Sequence, residues 1–260
     1  MKKGIINIIV YVVVFLAIQL ACQSAANGLQ ALLHPETKGD ISFTAIVIAF
    51  ALSAIISIAV FLLLRWAEVS PNYLRTRPWA VCCWCALASI GTFVPSIFIQ
   101  EHLPELPNIS EDLFNGILLN RWGYVTVGLL VPIAEELVFR GAVLRELLRL
   151  CSRHWTAILL SALIFALIHG NPAQMPHAFV MGLLLGWMYW RTDSILPGVV
   201  FHWVNNSVAY VMYNIYPDPT LQLADIFGGS QRAVISALAF SLCILLPSLY
   251  QLYLRLRRQS

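Results

Sequence analysis

Six residues in the middle of this 260-residue chain are of the types that do hydrolytic chemistry, and all six stand in apolar surroundings. Glu135, Glu136 and Arg140 lie in Ala134-Glu135-Glu136-Leu137-Val138-Phe139-Arg140-Gly141, His169 ends Phe165-Ala166-Leu167-Ile168-His169, and His202 and Asn206 share His202-Trp203-Val204-Asn205-Asn206. On a helix, Glu136 and Arg140 are one turn apart on the same face and can pair. Glu135 points about 100° away, toward a different neighbour, and is left free for chemistry. His202 and Asn206 also share a face at i and i+4. A buried carboxylate beside an imidazole can activate a water. A second imidazole and an amide can donate hydrogen bonds to the oxygen of a tetrahedral intermediate.

The elements that position these groups must be membrane helices. Of the residues, 59% are hydrophobic and 11% charged, and the mean hydropathy is +0.76. Soluble domains carry roughly 25% charged residues. Apolar runs at 5–27, 43–66, 79–99, 122–148, 155–170, 175–191, 195–215 and 232–254 predict an all-α, polytopic membrane protein of about eight transmembrane helices in a single bundle. Three segments follow: N-terminal helices over 1–121, a core of four helices over 122–215, and a C-terminal loop and helix over 216–260. The first apolar run is too long for a signal core, so an uncleaved first helix is expected. Each charge at a helix centre costs about 2.5–3.5 kcal/mol on insertion scales, so Glu135, Glu136 and Arg140 mark a functional site.

Charges alternate by loop. Lys2, Lys3, Arg65, Arg75, Arg77, Arg145, Arg149, Arg153, Arg191, Arg255, Arg257 and Arg258 fall on one side, while Glu101, Glu105, Glu111, Asp112, Asp218 and Asp225 fall on the other. Both termini are therefore expected in the cytoplasm, with the pocket opening to that side. The six cysteines read as apolar fillers and not as a disulfide or zinc framework. His34, His102, His154 and His177 fall in loops or at span ends, where a solvated or interfacial role is expected. Trp66, Trp79, Trp122, Trp155, Trp187 and Trp190 read as interfacial anchors. Nothing suggests a nucleic-acid partner, and the oligomeric state is open.

Glu135-Glu136-x-x-x-Arg140, Phe165-x-x-x-His169 and His202-x-x-x-Asn206, in that order on successive apolar helices, resemble the three motifs of the CAAX-protease and bacteriocin-processing family of intramembrane proteases, over about residues 122–210. The resemblance implies that Glu135 and His169 activate the attacking water, that His202 and Asn206 form the oxyanion hole, and that Glu136, Arg140 and Phe165 support them. It implies an endopeptidase acting on a peptide or protein in the lipid bilayer, with a prenylated C-terminal cysteine as one candidate substrate and bacteriocin maturation or immunity as another setting. Short loops suggest a bacterial inner membrane. Glu135, His169 and His202 would also suit a hydrolytic zinc site. The chain has no His-Glu-x-x-His, and the expectation is a metal-independent glutamate mechanism with zinc as the alternative. The rival classes are a catalytically silent peptide-binding or immunity protein and an ion- or proton-coupled transporter. The missing internal repeat disfavours the transporter.

Overall fold

A computed structural model describes residues 2–34, 42–70, 73, 77–218 and 221–257. Arg75 and Arg258, which entered the charge assignments, lie outside the described residues. Among those described, the regular structure is helical throughout. Helix α1 (Lys2–Leu33) packs along α2 (Phe43–Leu63), and α3 (Trp79–Glu101) packs along the last long helix, α10 (Gln231–Arg255). Between them come α4 (Glu111–Leu119), the composite helix α5 over 124–150, α6 (His154–Leu167), α7 (Met175–Thr192), α8 (Leu196–Ile215) and the single turn α9 (Leu223–Ile226).

Four helices are long and apolar enough to cross a membrane unaided: Lys2–Leu33, Phe43–Leu63, Trp79–Glu101 and Gln231–Arg255. Their exposed faces carry large apolar side chains such as Ile5, Ile9, Val13, Ile55, Ile90, Ile235 and Phe240, as lipid contact requires. The chain is an integral membrane protein. The other four expected spans are helices too, but α6 has 14 residues and rises about 21 Å, less than the hydrocarbon thickness.

Two apolar cores meet at α7. Ala178 and Tyr189 belong to the first, with Phe15, Phe61, Phe139, Val143, Ile158 and Phe165 from α1, α2, α5 and α6. Met181, Leu185 and Met188 belong to the second, with Cys85 and Ala88 of α3, Phe201 of α8 and Leu252 of α10. The α3–α10 seam is close because Gly91 offers no side chain: a Cβ there would stand 2.8 Å from the backbone nitrogen of Leu245. Such small-residue contacts hold helices together where water cannot drive them. Serine caps start two spans, Ser42 Oγ accepting from the Ala45 amide at 3.4 Å and Ser230 Oγ from the Ala233 amide at 3.3 Å.

All six cysteines are free. The tryptophans divide into two groups. Trp79, Trp122 and Trp155 are exposed as an interfacial belt would have them, but Trp66 packs on Tyr11 and Phe61, and Trp187 and Trp190 pack against the two cores.

One element was not anticipated. The stretch between α3 and α5 reads as an acidic loop, yet it contains α4, whose Ile117 is buried. Glu111 and Asp112 sit in its first turn, where carboxylates favour the positive end of a helix.

Candidate active site

Helix α5 is the scaffold of the site, and it is not a uniform α-helix. Tyr124–Leu130 and Glu136–Leu144 are wound as π-helix, with α-helical Val131–Glu135 between them and Arg145–Leu150 after them. Stretches of π-helix are rare and concentrate at functional sites. The first has a visible consequence. The Val131 amide bonds back to the Thr126 carbonyl, and the next residue, Pro132, has no N–H to give to the Val127 carbonyl five positions back. Val127 O is instead met by a side chain from α8: Asn206 Nδ2 donates to it at 2.8 Å.

The second π-helical stretch turns charge inward. Glu136 is 0% and Arg140 1% exposed, and Arg140 Nη1 lies 2.9 Å from Glu136 Oε1. Arg140 also lies over the Phe165 ring, its Cζ 4.2 Å from the centroid, so the guanidinium is held between a carboxylate and an aromatic face. The same Glu136 Oε1 is 3.1 Å from His202 Nδ1.

The expectation that Glu135 faces a different neighbour from Glu136 is corrected in part. Both carboxylates meet His202, one on each ring nitrogen: Glu136 at Nδ1 and Glu135, with its Oε2 3.7 Å away, at Nε2. They differ in access. Glu135 lines a cavity of about 370 Å³, and Glu136 lies behind it.

That cavity also takes in His169, His202, Asn206, Asn205 and His177. His169 follows the C-terminal end of α6, and its Nδ1 donates to the Phe165 carbonyl one turn back at 2.7 Å. The Nε2 of that tautomer carries a lone pair. The segment after α6 is tucked inward and pinned there by buried Asn171: its Nδ2 donates to Asn108 Oδ1 at 2.7 Å, and its Oδ1 accepts from the Ile109 amide at 3.2 Å. This resolves how a histidine at the end of a short helix shares a cavity with a carboxylate from mid-helix.

The cavity does not open where the charge pattern predicts. Ser110, Leu113, Phe114 and Ile117 of the acidic connection line it, together with Gln19, Phe50 and Gln174, whereas no residue of the arginine-bearing 145–153 segment does. It lies in the half of the bundle toward the acidic loops. The arginine end is a separate ionic cluster, with Arg145 2.5 Å from Glu68 and Arg149 3.2 Å from Glu146.

Two further residues belong to the site although the motifs do not include them. His177, expected to be solvated or interfacial, is a wall residue of the cavity with its Nδ1 2.6 Å from Ser96 Oγ. Asn205 is 8% exposed, with its Nδ2 3.4 Å from His177 Nε2 and 3.3 Å from Asn206 Oδ1. Its position next to Asn206 in an apolar helix is a signal, because two adjacent amides in a span both need partners.

The same side chains bear on the zinc alternative. Among the described residues, no three His, Cys, Asp or Glu side chains gather closely enough to hold a metal ion. His202 Nδ1 is committed to Glu136, and its other nitrogen is 3.7 Å from Glu135. Zinc remains the alternative that metal analysis of the purified protein tests.

Residues 117–208 match the family described as type II CAAX prenyl endopeptidase Rce1-like, in agreement with the resemblance carried by the three motifs. No curated protein and no solved structure matches the chain.

Proposed function

Taking residues 117–208 as a CAAX-endopeptidase-like core within an integral membrane protein, we propose that the chain is an intramembrane endopeptidase that hydrolyses a peptide bond with a water activated by Glu135 and His169. The observation that carries this reading is the convergence of Glu135, His169, His202 and Asn206 from two helices and one tucked loop on a single cavity.

In the proposed reaction the Glu135 carboxylate accepts a proton from water as the water oxygen bonds to the scissile carbonyl carbon. The His169 Nε2 lone pair holds that water. The carbonyl oxygen becomes an oxyanion, met by an N–H of Asn206 Nδ2 and by the Nε2–H of a His202 imidazolium whose Nδ1–H is given to Glu136. Glu135 then passes its proton to the amide nitrogen, the C–N bond breaks, and the new carboxylic acid gives up its proton to the amine, so that a carboxylate and an ammonium leave. Glu136 and Arg140 do not touch the substrate. They fix the His202 ring from behind.

The substrate is a peptide or protein in or at the bilayer, with a prenylated C-terminal cysteine as the first candidate and bacteriocin processing as an alternative setting. No step in this scheme passes through a metal, and metal analysis of active, purified protein tests that. The proposed location is a bacterial inner membrane with both termini cytoplasmic, from the arginine distribution.

The test is cleavage of a fluorogenic peptide library, including a C-terminal prenyl-cysteine motif, by wild-type protein in liposomes. The reading expects cleavage that is lost in Glu135→Gln and His169→Ala. Folded wild type that cleaves nothing, with and without zinc, would favour a silent peptide-binding or immunity protein.

A further inference from the structure

His177 is the third histidine of the cavity and has no part in the scheme above. It stands on α7 in the wall between the site and a second cavity of about 410 Å³ that is lined mainly by apolar side chains of α3, α7 and α10. Its two nitrogens are held by different helices, Nδ1 by Ser96 Oγ of α3 at 2.6 Å and Nε2 by Asn205 Nδ2 of α8 at 3.4 Å. From there the contacts continue, Asn205 Nδ2 to Asn206 Oδ1 at 3.3 Å and Asn206 Nδ2 to Val127 O at 2.8 Å.

Starting from Val127, this chain of contacts has one consistent assignment. A backbone carbonyl only accepts, so Asn206 presents its NH₂ group there and its Oδ1 to Asn205. Asn205 must then donate. Its donating nitrogen also faces His177 Nε2, which must carry the lone pair, so the ring proton sits on Nδ1 and is given to Ser96 Oγ. Turning the Asn206 amide over would set oxygen against oxygen at Val127 and NH₂ against NH₂ at Asn205. Both clashes would set like groups against each other at buried or half-buried positions.

We propose that His177 and Asn205 are positioning residues that lock the Asn206 side-chain amide in one orientation, one N–H spent on Val127 O and the other held toward the cavity for the oxyanion. The helix bearing Asn206 fixes where its Cβ is; it does not fix which end of the amide faces the substrate. The Val127 carbonyl makes that choice, and a histidine from another helix reinforces it through Asn205.

The proposal rests on the reading of Asn206 as an oxyanion donor, and its test separates the two. Protein labelled with ¹⁵N-asparagine in detergent micelles reports the Asn206 side-chain NH₂ pair, assigned by its disappearance in Asn206→Asp. The expected result is that His177→Ala shifts this pair and that His177→Gln, whose Oε1 can accept from Asn205 Nδ2, returns it toward its wild-type position. An unmoved pair in His177→Ala overturns the proposal whether or not any peptide is cut. With a cleaved peptide in hand, kcat is expected to fall about 10- to 100-fold in His177→Ala with KM nearly unchanged, and to recover in His177→Gln. Wild-type kcat in His177→Ala, or a glutamine variant as impaired as the alanine one, overturns it. Failure of the cleavage reading alone shows instead as wild-type inactivity, with the NH₂ response to His177 intact.

Discussion

Gly198 of α8 faces the Glu136 carboxylate so closely that a Cβ at position 198 would stand 2.5 Å from Glu136 Oε2. The backbone of one helix thereby makes room for a buried charge on another. Gly198→Ala is expected to displace the carboxylate from Arg140 and His202 together. The overpacking should cost about 1–3 kcal/mol, read as a lower midpoint of thermal unfolding in detergent, with cleavage falling at least tenfold. An alanine variant with wild-type stability would mean that Glu136 has freedom to move that its contacts do not suggest.

The two adjacent glutamates should fail in different ways. Glu136→Gln leaves Arg140 buried without its counter-charge, and losing one partner of a buried pair costs about 3–5 kcal/mol. Glu135→Gln, which lines the cavity and leaves the direct Glu136–Arg140 pair in place, should abolish cleavage while the protein folds and purifies as wild type. Denaturation curves and activity measured on both variants check this; the reverse pattern would exchange the roles of the two carboxylates.

Asn171 ties the loop after α6 to the segment before α4, and the loop carries His169. Asn171→Ala removes both bonds, at a cost of about 1–3 kcal/mol for the groups left unpaired. The expected outcome is local: faster backbone hydrogen exchange over 103–110 and 168–174, with exchange in α5 and α8 unchanged. Uniform acceleration throughout the bundle would show that Asn171 supports the whole fold.

Placement of the cavity among the acidic-loop residues makes a sidedness prediction. In a cysteine-free background, Ser110→Cys and Arg149→Cys should react with an impermeant maleimide from opposite faces of the membrane. Labelling of both from the same face would contradict the arrangement of α4 and α5.

Much of this protein is legible in its residue order. The eight apolar segments are helical in the structure, and four of them are long and apolar enough to cross a membrane, where backbone polar groups must be bonded within the segment. Glu135, Glu136, Arg140, His169 and His202 stand out for a related reason: ionisable groups are expensive in an apolar helix and persist where they have a partner or a task. The Glu136–Arg140 pair is readable from a spacing of four. The α4 helix is not, since nine residues with two carboxylates and an asparagine look like the loop around them.

Sequence alone determined which residues carry the proposed chemistry and that helices in a bilayer hold them. It did so because hydropathy and local spacing are properties of a single segment. Tertiary structure decided what those residues face. The π-helical winding of α5, the meeting of both glutamates at one imidazole, the Asn206 amide on the Val127 carbonyl that Pro132 leaves unbonded, and the place of His177 in the cavity wall all depend on which helix lies beside which. Those neighbours come from distant parts of the chain, and no periodicity within one segment specifies the rotation at which two helices pack.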